Sequence, residues 1–207
     1  PGRFFAGVET GAVVDTLGDR LPNRRHEIVG VANEISARRF NLLGHKGLDL
    51  GESIDWHHDM VGGVHAPQSH WSLIDPLNPG MVGDSKVTWE LNRHQWLMTL
   101  AQAHWLTDDA RYGQEAADLL HDWARSNPYG VGINWASSLE VSYRLIAWCW
   151  SIALLRESNA CTDRECAGVL ALIWQHARHV ERYLSRYFSP NTHLTGEALG
   201  LFYAGVL

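Results

Sequence analysis

The sequence predicts an all-α fold, an incomplete (α/α) toroid of antiparallel helix hairpins preceded by a long irregular segment. Two observations carry this. From Val87 onward, stretches that are apolar almost all round alternate with amphipathic ones. The apolar stretches begin near residues 88, 137 and 193, roughly fifty residues apart, with short connections that favour antiparallel neighbours. Helices apolar on every face belong inside and one-faced helices outside, which makes a two-layer array.

The elements follow in order. Residues 26–39 (HEIVGVANEISARR) are weakly periodic and end in arginines that suit a helix C-terminus. From Phe40 to Lys86 the chain is rich in Gly, Pro, His and Asp, with turn signals at Asp75-Pro76 and Asn78-Pro79-Gly80. That stretch reads as a long irregular segment with short strands. Residues 1–86 are thus expected to pack on a helical array formed by 87–207. Within the array, 88–106 is apolar nearly all round. Residues 109–125 carry a stripe of Tyr112, Ala116, Leu119, Leu120 and Trp123. The alternation repeats with 137–156, apolar all round, and 163–188, striped by Cys166, Val169, Leu170, Ile173, Ala177, Val180 and Leu184. Thr162 and Glu165 form a capping-box signature. His176 and His179 are expected on the solvent side of that helix. Ser189-Pro190-Asn191 ends it, and a third apolar helix starts near Thr192.

Composition narrows the function classes. The 207 residues are 45% hydrophobic and 19% charged, as in folded globular proteins. A net charge of -6 argues against a general nucleic-acid or membrane-surface binder, since both want a positive field. The longest apolar run, Leu145 to Leu155, falls short of the roughly 20 residues of a spanning helix. Three cysteines, Cys149, Cys161 and Cys166, give no disulfide framework. Ten Trp and twelve His supply flat rings with polar edges, which suit a sugar-binding cleft. The opening Pro1-Gly2 and the apolar run at Leu207 suggest a piece of a longer chain.

Each inner helix carries its polar residues at its N-terminal end. The first has Glu90, Asn92, Arg93 and His94. The second follows Asn134 and Trp135 and carries Glu140, Tyr143 and Arg144; the third has Asn191, His193 and Glu197. Alternate helices of a hairpin array run the same way, so the three ends should share one face. Helix N-termini, with Arg93 and Arg144 added, would favour an anion there. Trp89 and Trp135 are candidate platforms for sugar rings. The bland alternatives are an intrahelical pair of Glu140 with Arg144 at i, i+4, Asn191 as an N-cap, Asn134 as a turn residue and His193 as a structural histidine. His57, His58, Asp59, His65 and His70 contain plausible metal donors, but no familiar zinc spacing. No metal site is assigned.

The segments KVTWELNRHQWLMTLAQAHWLTDDARY, NPYGVGINWASSLEVSYRLIAW and YLSRYFSPNTHLTGEALGLFYAG resemble the N-terminal helical part of the heparinase II/III-like polysaccharide lyases. The resemblance runs from about Leu50 to the chain end. It implies an (α/α) toroid whose C-terminal β-sandwich is absent from this chain, and β-elimination on uronic-acid polysaccharides without metal or cofactor. It places Asn191 and His193 at the carboxylate-neutralising position. Glu90, Arg93, His94, Asn134, Trp135, Glu140, Arg144 and Glu197 fall near the substrate. Thr192 departs from the Asn that relatives often carry before the His. The family's catalytic Tyr lies beyond Leu207, and Tyr203 is not given that role. The implied partner is an acidic polysaccharide, and the implied location is periplasmic or secreted. Competing expectations are a helical-toroid glycoside hydrolase using two of Glu90, Glu140 and Glu197, and a non-catalytic glycan-binding module.

Overall fold

The computed structural model of the chain describes residues 11–155, 162–187 and 189–207. Cys161, and the ends of the expected helices at Arg156 and Phe188, lie outside them. The chain is mostly helical. Two helices, α1 (Gly11–Arg20) and α2 (Pro22–Ser36), precede two small antiparallel hairpins, β1 (Arg39–Leu42) with β2 (His45–Asp49) and β3 (His58–Asp59) with β4 (Val64–His65). A short α3 (Pro79–Val82) leads to α4 (Ser85–Asn92), α5 (Gln95–Thr107), α6 (Ala110–Ser126), α7 (Ser138–Leu155), α8 (Asp163–Arg182) and α9 (Thr192–Val206). The irregular segment with short strands is thus present between α2 and α4. Helix α1 went unmarked in the sequence.

Helix α7 is the centre of the packing, in contact with α5, α8 and α9, while α6 lies on α5. By these contacts α5, α7 and α9 form the inner row and α6 and α8 the outer one, but α9, expected to be buried all round, buries only Glu197 and Gly200 and leaves Leu199, Phe202 and Val206 exposed. The striped residues of α6 are buried as expected, with Trp123 at 0% exposure. On α8 the Thr162–Glu165 capping box forms. Among the described residues no helix is long and apolar enough to cross a membrane.

Three further expectations need correction. The first helix stops at Ser36 because Arg38 takes a left-handed backbone (φ 60°) and Arg39 enters β1 opposite Asp49. The arginines leave the helix axis: Arg38 reaches Glu115 on α6, and Arg39 binds Glu34 at 2.5 Å. The stretch 88–106 is two helices, broken at Arg93-His94, where His94 is left-handed (φ 59°). Trp96 Nε1 donates to the Leu91 carbonyl at 2.8 Å, and Arg144 donates to the Asn92 carbonyl at 3.2 Å, filling acceptors at the end of α4. His176 and His179 are buried, at 0% and 1% exposure, because α8 turns them onto Trp123, Trp135 and Trp148.

Helices α7 and α9 run parallel in close contact, Gly196 meeting Leu139 and Gly200 meeting Ser142. A Cβ on Gly200 would lie 2.7 Å from Ser142 Cβ and 3.0 Å from its Cα. Backbone cannot yield there, so the clash outweighs the roughly 1 kcal/mol that alanine gains over glycine in a helix. Gly200→Ala is expected to destabilise the chain by about 1–3 kcal/mol in urea unfolding. Gly168→Ala on α8, where a Cβ meets only open space, is expected to stabilise it by up to about 1 kcal/mol.

Candidate functional site

The break between α4 and α5 brings a charged group against the first turns of α7. Arg93, at the C-cap of α4, donates from Nε and Nη2 to both oxygens of Glu140 (2.6 and 2.9 Å) and from Nη1 to Glu90 (2.6 Å). Its guanidinium lies 4.8 Å from the centre of the Tyr143 ring. The bond to Glu140 raises the Arg93 pKa above its ordinary value. Glu140 thus pairs across helices with Arg93, which replaces the intrahelical pair with Arg144. Beyond Tyr143, a groove between α5 and α7 is lined by Gln95, Met98, Thr99, Gln102 and Ile146.

Beneath this lies a closed polar layer. Asn92 donates to the carbonyls of Trp56 (2.9 Å) and Thr88 (2.7 Å) and accepts from Trp123 Nε1 (2.7 Å). Asn134 donates to the Trp56 carbonyl (3.0 Å) and to Asn127 (2.8 Å). Arg144 spans the two asparagines, donating to both main-chain carbonyls, with its guanidinium 5.0 Å from the Trp123 ring centre. Burial pulls its pKa down to about 9, against the opposing pull of Glu140, so it stays charged at neutral pH. His94 Nδ1 accepts from Trp148 Nε1 at 2.8 Å.

Several sequence expectations change here. His94, Asn134, Trp135 and Arg144 are at most 1% exposed, so they build the wall behind the site and are closed to contact with a ligand in this chain. Trp135 is covered by Tyr129, His176 and His179 and offers no sugar platform, and Trp89 Nε1 is spent on the Ile133 carbonyl. The expected basic cleft is also absent among the described residues: Arg93 is shared by two carboxylates, and Arg144 is buried.

The connection into α9 is held from two sides. Ser138, at the start of α7, donates to the Tyr183 carbonyl at 2.7 Å. Glu197 is fully buried, and its two oxygens accept from the Ser185 backbone N–H (2.8 Å) and hydroxyl (2.5 Å). It was expected to touch substrate, and its carboxylate is instead turned inward. Ser185 was missed in the sequence, where a loop serine carries no distinguishing signal. Asn191 caps α9: its side-chain oxygen accepts from the Thr192 backbone N–H at 2.6 Å. That N–H can only donate, so the facing atom must be Oδ1, and the amide N–H groups remain as donors. Asn191 is exposed, and His193, on the first turn, is half-buried. The Arg93–Glu140 pair, the Ser138–Tyr183 bond and the Leu139–Gly196 contact gather the α4–α5 break and the start of α9 around the first turn of α7.

The remaining histidines have local tasks. Asp59 accepts from the backbone N–H groups of Val61, Gly62 and Asp84, His57 bonds the Ser126 carbonyl, and His65 bonds Asp55. Among the described residues no group of three His, Cys, Asp or Glu is placed to hold a metal. His94, His176 and His179 are pushed down by burial and then by Arg144, His179 to about 4. They are neutral when folded, whereas the unfolded chain titrates near 6.5. Their contribution to stability is therefore complete above pH 6.5 and is lost as pH drops below it, for His179 by about 1.4 kcal/mol per pH unit down to its folded pKa of about 4. Urea midpoints at pH 7.5, 6 and 5 are expected to decline in that order, and less steeply in His179→Phe.

An inner row of helices with polar ends gathered at one rim, backed by amphipathic outer helices, defines the class as an (α/α) helical-hairpin domain. The profile of the family described as Heparinase II/III N-terminus matches residues 23–207, and the chain belongs to that family. Solved structures similar to it include a heparan sulfate lyase, HepC, from Pedobacter heparinus (TM-score 0.68, 23% identity, covering 86% of this chain and 25% of that one). A HepC mutant from Pedobacter heparinus aligns with TM-score 0.68 and 21% identity, over 94% of this chain and 31% of that one. A heparinase III, the BT4657 gene product, aligns with TM-score 0.67 and 23% identity, over 87% and 28%. The chain thus spans about a quarter to a third of the length of these structures. No curated protein matches it.

Proposed function

We propose that this chain is the helical N-terminal part of a polysaccharide lyase that cleaves uronic-acid-containing glycans by β-elimination. The observation that carries the reading is the orientation of Asn191. Its oxygen is taken up by the Thr192 N–H, so what this exposed residue can still offer a ligand at the helix N-terminus, where a carboxylate is favoured, is its amide N–H groups. The proton at C5 of a uronate is weakly acidic, and hydrogen bonds that neutralise the adjoining carboxylate make its removal accessible. Asn191 is the better candidate for that task, with His193 beside it on the first turn. The base that takes the proton is expected from outside this chain, and an acid assists departure of the O4 group. A periplasmic or secreted location goes with a polymeric substrate.

The test is to incubate the full-length parent protein with uronate polysaccharides, heparan sulfate first because the two similar HepC structures bear that name, and to follow the ultraviolet absorbance of the unsaturated product. Silence across heparan sulfate, alginate and other uronate polymers would sink the reading. A hydrolase would release reducing ends without that absorbance. Its carboxylate pair finds little support: Glu90 and Glu140 are both bound to Arg93, and Glu197 is buried on Ser185.

A further inference from the structure

We propose that Glu197 is a positioning residue for the proposed lyase site: it holds the strand of chain that delivers Asn191. The inference rests on the lyase reading for its catalytic consequence, but not for its geometry. Glu197 is fully buried, and no basic side chain pairs with it among the described residues. A buried carboxylate without a counter-ion is costly unless strong donors surround it. Both of its donors come from one residue, Ser185, twelve positions back, on the far side of Asn191 in the sequence.

The geometry makes a closed stitch. Side chains on a helix lean toward its N-terminus, so Glu197 reaches back past the first turn of α9 to the incoming chain. Its neighbour Gly196 sits against Leu139, which anchors the same turn to α7, and Ser138 fixes the preceding Tyr183 carbonyl. Between these two anchors Ser189 takes a left-handed backbone (φ 52°), and the chain enters the helix at Asn191. Releasing Ser185 frees this entry to shift, and a displacement of about 1 Å at a group that meets the reacting part of a substrate lowers turnover by about 10²-fold.

The experiment uses the full-length parent with Glu197→Ala, Glu197→Gln and Ser185→Ala. Glu197→Gln can still accept from the Ser185 N–H, and its amide can donate to the Ser185 oxygen. The expected result is a fall in kcat of about 10- to 100-fold for Glu197→Ala with KM within about twofold, and near-complete rescue in Glu197→Gln. Ser185→Ala, which keeps the N–H bond, is expected to fall between them. Hydrogen exchange over residues 183–195 is expected to speed up in Glu197→Ala and not in Glu197→Gln. Unchanged kcat in folded Glu197→Ala, or Glu197→Gln as impaired as Glu197→Ala, would overturn the assignment. If the parent forms no unsaturated product at all, the lyase reading falls. Exchange then still decides whether Glu197 holds this segment, and equal rates in all variants would refute it.

Discussion

Asn191→Ala in the full-length protein is expected to lower kcat by about 10²–10³-fold, the scale found when a single preorganised donor is removed from a developing oxyanion. The neighbouring helix supplies an internal control. Asn191→Asp keeps an oxygen for the Thr192 N–H and places a negative charge at a helix N-terminus, so the fold should be as stable as the parent or slightly more so. It nevertheless sets a carboxylate against the substrate's own. Stability should therefore rank Asp at or above Asn and then Ala, lower by about 1 kcal/mol, while turnover should rank Asn first and Asp last. Urea unfolding and product absorbance on the same three proteins check both orders. Equal activity in all three would remove Asn191 from the chemistry and leave it only a cap.

Arg144→Met is expected to destabilise the fold by about 3 kcal/mol, the largest stability effect anticipated for one side chain here. A buried cation without a directly bonded carboxylate is an expensive group, and replacing such a group by an apolar one can be neutral or even favourable. The sign is decided by what it leaves behind. The guanidinium bonds the carbonyls of Asn92 and Asn134 across the break between α4 and α5, and methionine would strand both acceptors in a closed interior. Lysine carries the charge without the planar fork and should recover little. Chemical unfolding with near-ultraviolet circular dichroism, sensitive to the packed Trp123, Trp135 and Trp148, checks this. Wild-type stability in Arg144→Met would mean that the break is held by Trp96 and His94 alone.

These residues also show how far local sequence reaches. The alternation of all-round apolar and striped helices was legible because helical periodicity is a local property, and the Thr162–Glu165 cap and the cap at Asn191 are equally local. The break at His94 was not. The groups that favour it, Trp148 and Arg144, lie about fifty residues downstream, and a buried left-handed histidine looks in sequence like any other helical one. His176 and His179 were set on the wrong face for the same reason: the rings that receive them belong to other helices. In the site, the meeting of the three polar ends was legible from helix direction. The choice of Arg93 as the partner of Glu140, and the inward turn of Glu197, depend on how neighbouring helices are set along one another. Residue spacing within one helix carries no trace of that.

The sharing of Arg93 between Glu90 and Glu140 bears on how an acidic chain would meet this rim. With one guanidinium set against two carboxylates the cluster keeps a net negative charge, so attraction would rest on aimed N–H dipoles, which act only at contact and are little weakened by dissolved ions. On the proposed reading, an acidic polymer sliding past would feel no long-range pull, so added salt should not weaken its capture as it would for a cleft paved with free arginines.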